Sequence, residues 1–156
     1  MKVRGFEIVS KYAEEGLTLP ARSTERAAGY DFAAAQDTVI PAKSDNGQRP
    51  VLIPTGIKVY MQENEYLQLV SRSSLPKKKH LVMPNAVGII DADYYNNEQN
   101  EGEIMVQVLN LSDEEVLVQK GERIAQGIFL PYLLADQDAE TEKAVRAGGF
   151  GSTGIG

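Results

Sequence analysis

The residues best suited to chemistry fall in five short segments. In NAVGIIDADYYNNEQNEGEI (85–104), Asp91 follows an apolar run, which puts its carboxylate at a strand end beside buried surface. A carboxylate so placed can orient a water and accept its proton, the work of a general base. An ordinary turn is the competing reading, because aspartate favours turns. SRSSLPKKK (71–79) holds one arginine, three serines and three lysines. Hydroxyls, backbone N–H groups and the Arg72 fork at the start of a turn suit a phosphate chain, whereas the lysines alone read as a solvated basic loop. AAGYDFAAA (27–35) sets Asp31 between two aromatic residues, and in GERIAQGIF (121–129) Arg123 and Gln126 interrupt a strand-like pattern. Polar groups within a strand need partners, either in the core or on a ligand. The last segment, RAGGFGSTGIG (146–156), is glycine-rich, with Phe150 as its one large apolar side chain before Ile155. Alone it reads as a frayed end, since glycine loses the most entropy on ordering.

Short strands are what must position these segments. GFEIVS (5–10), VLIPTGIKVYM (51–61), EYLQLVS (65–71), LVMPNAVGII (81–90), EIMVQVLNLS (103–112) and EVLVQKGERIAQGIFL (115–130) are apolar runs separated by Gly, Pro, Asn and Asp clusters. The two-residue period shows in Ile104, Val106 and Val108 against Met105, Gln107 and Leu109. Helical patterns are scarce: a turn around Ser73–Lys79 is limited by Pro76, and ADQDAETEKAVRAG (135–148) lacks an apolar stripe and reads as a mobile connection. The fold expected is all-β, two packed sheets in a sandwich or barrel, with a β domain over 1–134 and a connection plus glycine-rich lid over 135–156.

The totals exclude several functions. A chain of 156 residues with 42% hydrophobic and 24% charged residues fits one globular domain. No apolar run has membrane-spanning length and the amino terminus lacks a signal-peptide core, so a cytoplasmic setting is expected. Zero cysteines rule out disulfides and thiolate chemistry, and a single histidine leaves a zinc site short of ligands. That histidine, His80, follows three lysines with no nucleophile motif beside it. A net charge of −6 argues against a general nucleic-acid binder but permits an anionic small ligand held by local donors. Neither GxxxxGK[ST] nor a helix-opening GxGxxG is present.

Taken in order, AGYD (28–31), RSS (72–74), NAVGIIDADY (85–94), GERIAQ (121–126) and GGFGSTG (148–154) resemble the five motifs of the trimeric dUTP diphosphatases (dUTPases). The resemblance implies a β jelly roll, a homotrimer with active sites between subunits, and Mg²⁺-assisted hydrolysis of dUTP to dUMP and pyrophosphate. It assigns Asp91 to deprotonating the water that attacks the α-phosphorus, and Tyr94 to packing on the deoxyribose so that a 2′-hydroxyl is excluded. Asn85 and the backbone of Ile89, Ile90 and Asp91 form the uracil pocket, with Gly88 and Met105 among its substrate-binding residues. Arg72, Ser73 and Ser74 hold phosphates, joined by Gln126. Asp31 positions the hydrated metal without binding it directly. Phe150 stacks over uracil while Gly151, Ser152 and Thr153 close on the terminal phosphate, and Arg146 reaches toward the γ-phosphate. Mg²⁺ prefers phosphate oxygens and water, which accords with the lack of a carboxylate cage in the sequence.

Three departures stand out. About six extra residues follow Tyr94, in YNNEQNE before Gly102, as in dUTPases of Gram-positive bacteria and their phages; they read as an exposed excursion. The tail runs R-A-G-G-F where the family has R-G-x-G-G-F, and Ser74 stands where glycine is more usual. Two other functions fit a dUTPase-like body: a dCTP deaminase, whose glutamate motif is not found, and a regulatory binding protein that uses 95–101 as a partner surface.

Overall fold

Alternation builds the sheets. The structure, a computed structural model, describes residues 1–45 and 47–149. In β10 (Met105–Asn110) the side chains of Val106, Val108 and Asn110 are buried while Met105, Gln107 and Leu109 face partly outward, as the two-residue period requires. The other strands are β1 (Gly5–Ile8), β2 (Ala21–Arg22), β3 (Tyr30–Ala33), β4 (Thr38–Ile40), β5 (Val51–Pro54), β6 (Ile57–Tyr60), β7 (Glu65–Ser71), β8 (Leu81–Val82), β9 (Val87–Asp91), β11 (Val116–Val118) and β12 (Arg123–Pro131). One sheet has five antiparallel strands in the order β2-β3-β12-β7-β9, a second has three in the order β5-β10-β8, and β1-β6 and β4-β11 form pairs. Apart from β2 and β3, neighbours in the large sheet are not consecutive in sequence, which is the wiring of a jelly roll rather than of a meander.

One apolar cluster joins the sheets. Phe32, Leu67, Leu69, Ile124 and Ala125 come from the five-stranded sheet, Ile53, Val106 and Val108 from the three-stranded one, and Ile57, Val59, Ile40 and Val118 from the pairs. Phe6 of β1 meets Tyr30, Phe32 and Phe129 at centroid distances of 5.3–5.5 Å, which ties the β1-β6 pair to the large sheet.

Two runs that read as continuous are interrupted. The 51–61 run breaks at Gly56, whose φ of +69° and close approach to Leu17 and Tyr12 leave no room for a side chain. The chain thereby passes from β5 to β6, in a different sheet. The 81–90 run breaks between β8 and β9 at Asn85, where Ala86 adopts φ 62°. Helix α1 (Ser74–Lys79) matches the short turn expected, and Pro76 is accommodated because first-turn N–H groups have no partner within a helix. His80 caps α1 in the left-handed conformation and is exposed. Beyond β12 the chain carries one 3₁₀ turn, Asp138–Glu140, before Arg146 to Gly149 return to the surface near β9. Among the described residues no helix is long and apolar enough to cross a membrane.

Candidate active site

β7 and β9 run side by side with Tyr66 opposite Asp91 and Leu69 opposite Gly88. Beside this pair lies a cavity of about 250 Å³. It contains eight of the substrate-site residues expected from sequence: Asn85, Gly88, Ile89, Ile90, Asp91, Tyr94, Met105 and Arg146. Leu69, Met83 and Ile104 supply an apolar wall, and Gln107 and Gly149 complete the lining. Such a volume suits a ring and a sugar, falling below the ~300 Å³ at which drug-sized ligand pockets begin. At Gly88 an added Cβ would approach the Leu69 Cβ to 3.3 Å, so glycine keeps this wall open.

Asp91 ends β9, with its side chain half exposed at the cavity rim. Arg146 covers it. One guanidinium nitrogen, Nη2, lies 2.5 Å from Asp91 Oδ2, Nε donates to Asp93 Oδ1 at 2.7 Å, and Nη1 donates to the Gly148 carbonyl at 2.9 Å. The planar fork of arginine suits this use of several donors at once. Gly149 then lies on the Tyr94 ring, where a Cβ would come within 2.8 Å of Cε1.

Tyr94 is buried, and its hydroxyl donates to the Glu103 carbonyl at 2.8 Å while accepting from Asn100 Nδ2 at 2.7 Å. Burial raises its phenol pKa, and the Asn100 hydrogen bond partly offsets that rise. Both partners belong to the segment after Tyr94, which is not the exposed excursion its composition implied. Asn97 is buried: its Nδ2 donates to the Tyr94 carbonyl and to Asn100 Oδ1, and its Oδ1 accepts the N–H groups of Gln99 and Asn100. Glu101 accepts from Ser10 and from Lys58 Nζ, the latter at 2.7 Å, and Tyr95 donates to Glu7. Asparagine side chains here replace the apolar contacts that normally fix a loop, because they satisfy the loop's own backbone. Within 95–101 only Asn96, Glu98 and Gln99 remain exposed, and the Gln99 N–H donates to the Ala147 carbonyl.

A second polar group gathers elsewhere. Asp31 lies 3.3 Å from Arg72 Nε and 3.5 Å from Arg123 Nη1, with Gln126 its register partner across β3 and β12. Gly29 leaves space for the Gln126 side chain, since a Cβ there would collide with its amide oxygen. Ser74 joins Arg72 and Arg123 along an open depression, and Ser73 is exposed at the start of α1. Arg72 follows the end of β7, six residues from Tyr66, so this group lies about 20 Å along the strand from the level of Asp91. One chain therefore places the expected residues in two separate groups.

Sequence reasoning did not single out Gln107 in the cavity, Asp93 beside Arg146, or Asn100 behind the Tyr94 hydroxyl. Gln107 was within reach, because it shares the outward face of β10 with Met105. Asp93 and Asn100 carry no local signal, since their roles depend on where Arg146 and the Tyr94 hydroxyl arrive. Phe150, Gly151, Ser152 and Thr153 lie outside the described residues. Among the described residues no three His, Cys, Asp or Glu side chains assemble as a metal cage.

The dUTPase family model matches residues 15–154. The deoxyuridine 5′-triphosphate nucleotidohydrolase of Lactococcus lactis is 54% identical over 99% of both chains, and that of Rickettsia prowazekii is 40% identical over 96% of this chain and 98% of its own. Among solved structures, the dUTPase of Streptococcus mutans has 51% identity and a TM-score of 0.78 over 85% of this chain and 98% of its own. A dUTPase of Staphylococcus bacteriophage 80alpha has 26% identity and a TM-score of 0.65 over 99% of this chain and 100% of its own. A cavity that joins a strand-end aspartate to a buried tyrosine, a family model spanning nearly all residues, and a relative identical at more than half of them lead to one conclusion: the chain belongs to the dUTPase family.

Proposed function

We propose that this chain hydrolyses dUTP to dUMP and pyrophosphate as a homotrimer. In this reading each site combines the cavity of one subunit with the Arg72 group of another. The observation that carries it is the single cavity in which Asn85, Tyr94 and Asp91 converge. Asn85 and the β9 backbone read the uracil edge, and Tyr94 occupies the space of a 2′-hydroxyl. Asp91 takes a proton from the water whose oxygen bonds to the α-phosphorus. The bond from that phosphorus to its bridging oxygen breaks, and the electron pair leaves with pyrophosphate. Little covalent chemistry falls to the protein in such a transfer, so positioning and charge neutralisation dominate. The relatives' names, nucleotidohydrolases, favour hydrolysis over deamination.

Arg146 must exchange Asp91 and Asp93 for the triphosphate when substrate arrives, which frees the base as it charges the phosphate end. Phe150 then covers uracil, while Gly151, Ser152 and Thr153 meet the terminal phosphate. The donor set fits a Mg²⁺ ion that enters with the nucleotide. Asp31 is already paired with two arginines, and no carboxylate cage exists among the described residues, so the chain offers an outer-sphere carboxylate rather than direct ligands. When bound, such an ion neutralises charge on the phosphate oxygens. Gln126, Arg72, Ser73 and Ser74 orient those oxygens.

The test is pyrophosphate release from dUTP, dCTP, dTTP and UTP in the presence of Mg²⁺. Turnover is expected for dUTP alone, with loss in Asp91→Asn. Comparable turnover of all four nucleotides, or an undiminished Asp91→Asn enzyme, rejects the mechanism.

A further inference from the structure

Asn100 touches neither cavity nor phosphate group, yet its side chain ends on the hydroxyl of Tyr94. Tyr94 is 6% exposed, so that hydroxyl depends on protein partners. It has two. Its proton goes to the Glu103 carbonyl at 2.8 Å, and it accepts the Asn100 Nδ2 proton at 2.7 Å. The amide orientation follows from its other end, because Asn100 Oδ1 accepts from the Gly102 N–H at 3.0 Å and from Asn97 Nδ2 at 2.8 Å. With its oxygen on two donors, the nitrogen is left facing the phenol. Three Asn97 bonds that shape the loop do not involve the Asn100 side chain, so Asn100 Nδ2 is not needed to hold the loop in place.

We infer that Asn100 is a positioning residue for sugar selection: by fixing the Tyr94 hydroxyl it holds the ring where a ribonucleotide's 2′-hydroxyl would have to sit. This rests on the reading of the cavity as the base and sugar site of dUTP. Two hydrogen bonds to one oxygen restrict the swing of the ring, whereas the Glu103 bond alone leaves the ring free to pivot about it. Exclusion by contact is a matter of position, so discrimination weakens as soon as the ring can yield. Hydrolysis itself does not use the Tyr94 hydroxyl, so selection and turnover separate. The segment 95–103 is thereby part of the specificity apparatus, not an appendage beside it.

The experiment compares kcat/KM for dUTP and for UTP in the wild type, Asn100→Ala, Tyr94→Phe and the double variant, with thermal midpoints recorded for each. Asn100→Ala is expected to keep dUTP turnover within about threefold and to lower the dUTP/UTP ratio about tenfold, the scale of one hydrogen bond. Tyr94→Phe removes this bond together with the one to the Glu103 carbonyl and should lower the ratio at least as far. The double variant should select no worse than Tyr94→Phe alone, because Asn100 acts on selection through the hydroxyl that Tyr94→Phe already lacks. A ratio unmoved by Asn100→Ala, or single effects that multiply in the double variant, overturns the inference. Should Asn100→Ala fail to fold, an unmoved ratio in Tyr94→Phe overturns it equally. Wild-type protein that leaves dUTP intact defeats the underlying reading, whereas dUTP turnover with an unmoved ratio defeats this inference alone.

Discussion

Asp91 meets Arg146 before it meets any substrate, and that pairing defines what each residue contributes. With half of its side chain exposed and a guanidinium 2.5 Å away, Asp91 is oriented through Oδ2, and the arginine must move before that oxygen can take a proton from water. The Asp91→Asn variant keeps the shape and gives up the base, so kcat should fall about 10²- to 10⁴-fold in the pyrophosphate assay while the thermal midpoint barely moves. Gly29 makes a different prediction. Gly29→Ala pushes a methyl group into Gln126, so the amide must leave the side of Asp31. KM for dUTP should rise about tenfold, with a stability change under ~1 kcal/mol measured by urea unfolding, since only a surface-side amide is displaced.

Elements differ in how openly the sequence declares them. β10 was legible because its alternation survives in the fold, and β7 matches its apolar run from Glu65 to Ser71. The 95–103 loop was not legible. Its asparagines and glutamates carry the composition of a solvated excursion, and hydrophobic periodicity has nothing to grip there. What decides its structure is amide geometry, with Asn97 closing the backbone and Glu101 receiving Ser10 and Lys58. Asn97→Ala should therefore destabilise the protein by about 1–3 kcal/mol in chemical unfolding, the cost of stranding buried donors. The Lys58 hydrogen bond holds the Glu101 carboxyl below its ordinary value of 4.5. A lowered folded pKa adds stability above the unfolded value and loses it as pH falls toward the folded one. Thermal midpoints of Glu101→Gln should thus lie below wild type at pH 7, and the gap should close as pH drops below 4.5.

For the whole molecule, β7 acts as a spacer, with the Asp91 level near one end and Arg72 just past the other. The separation of about 20 Å keeps the expected residues of one chain in two groups. The five motifs were visible along the sequence, but their division into two groups was not, because linear order carries no record of which strand ends share a neighbourhood. In a homotrimer the division becomes a test. Chains bearing Asp91→Asn and chains bearing Arg72→Ala, each nearly inactive alone, should recover about a quarter of wild-type activity when refolded together in equal amounts, from random assortment of intact halves. Sites contained within single chains would recover nothing. Light scattering at micromolar concentration should report three times the chain mass of 17.1 kDa.

The loop after Tyr94 also bears on what a shortened chain would lose. Because Asn100 and the Glu103 carbonyl close the tyrosine hydroxyl, and Glu101 binds the chain near Ser10, deleting 95–101 does more than trim a surface loop. It takes the Asn100 donor from a buried phenol and leaves Lys58 without its carboxylate. A shortened variant would need repair at Tyr94, Ser10 and Lys58 together.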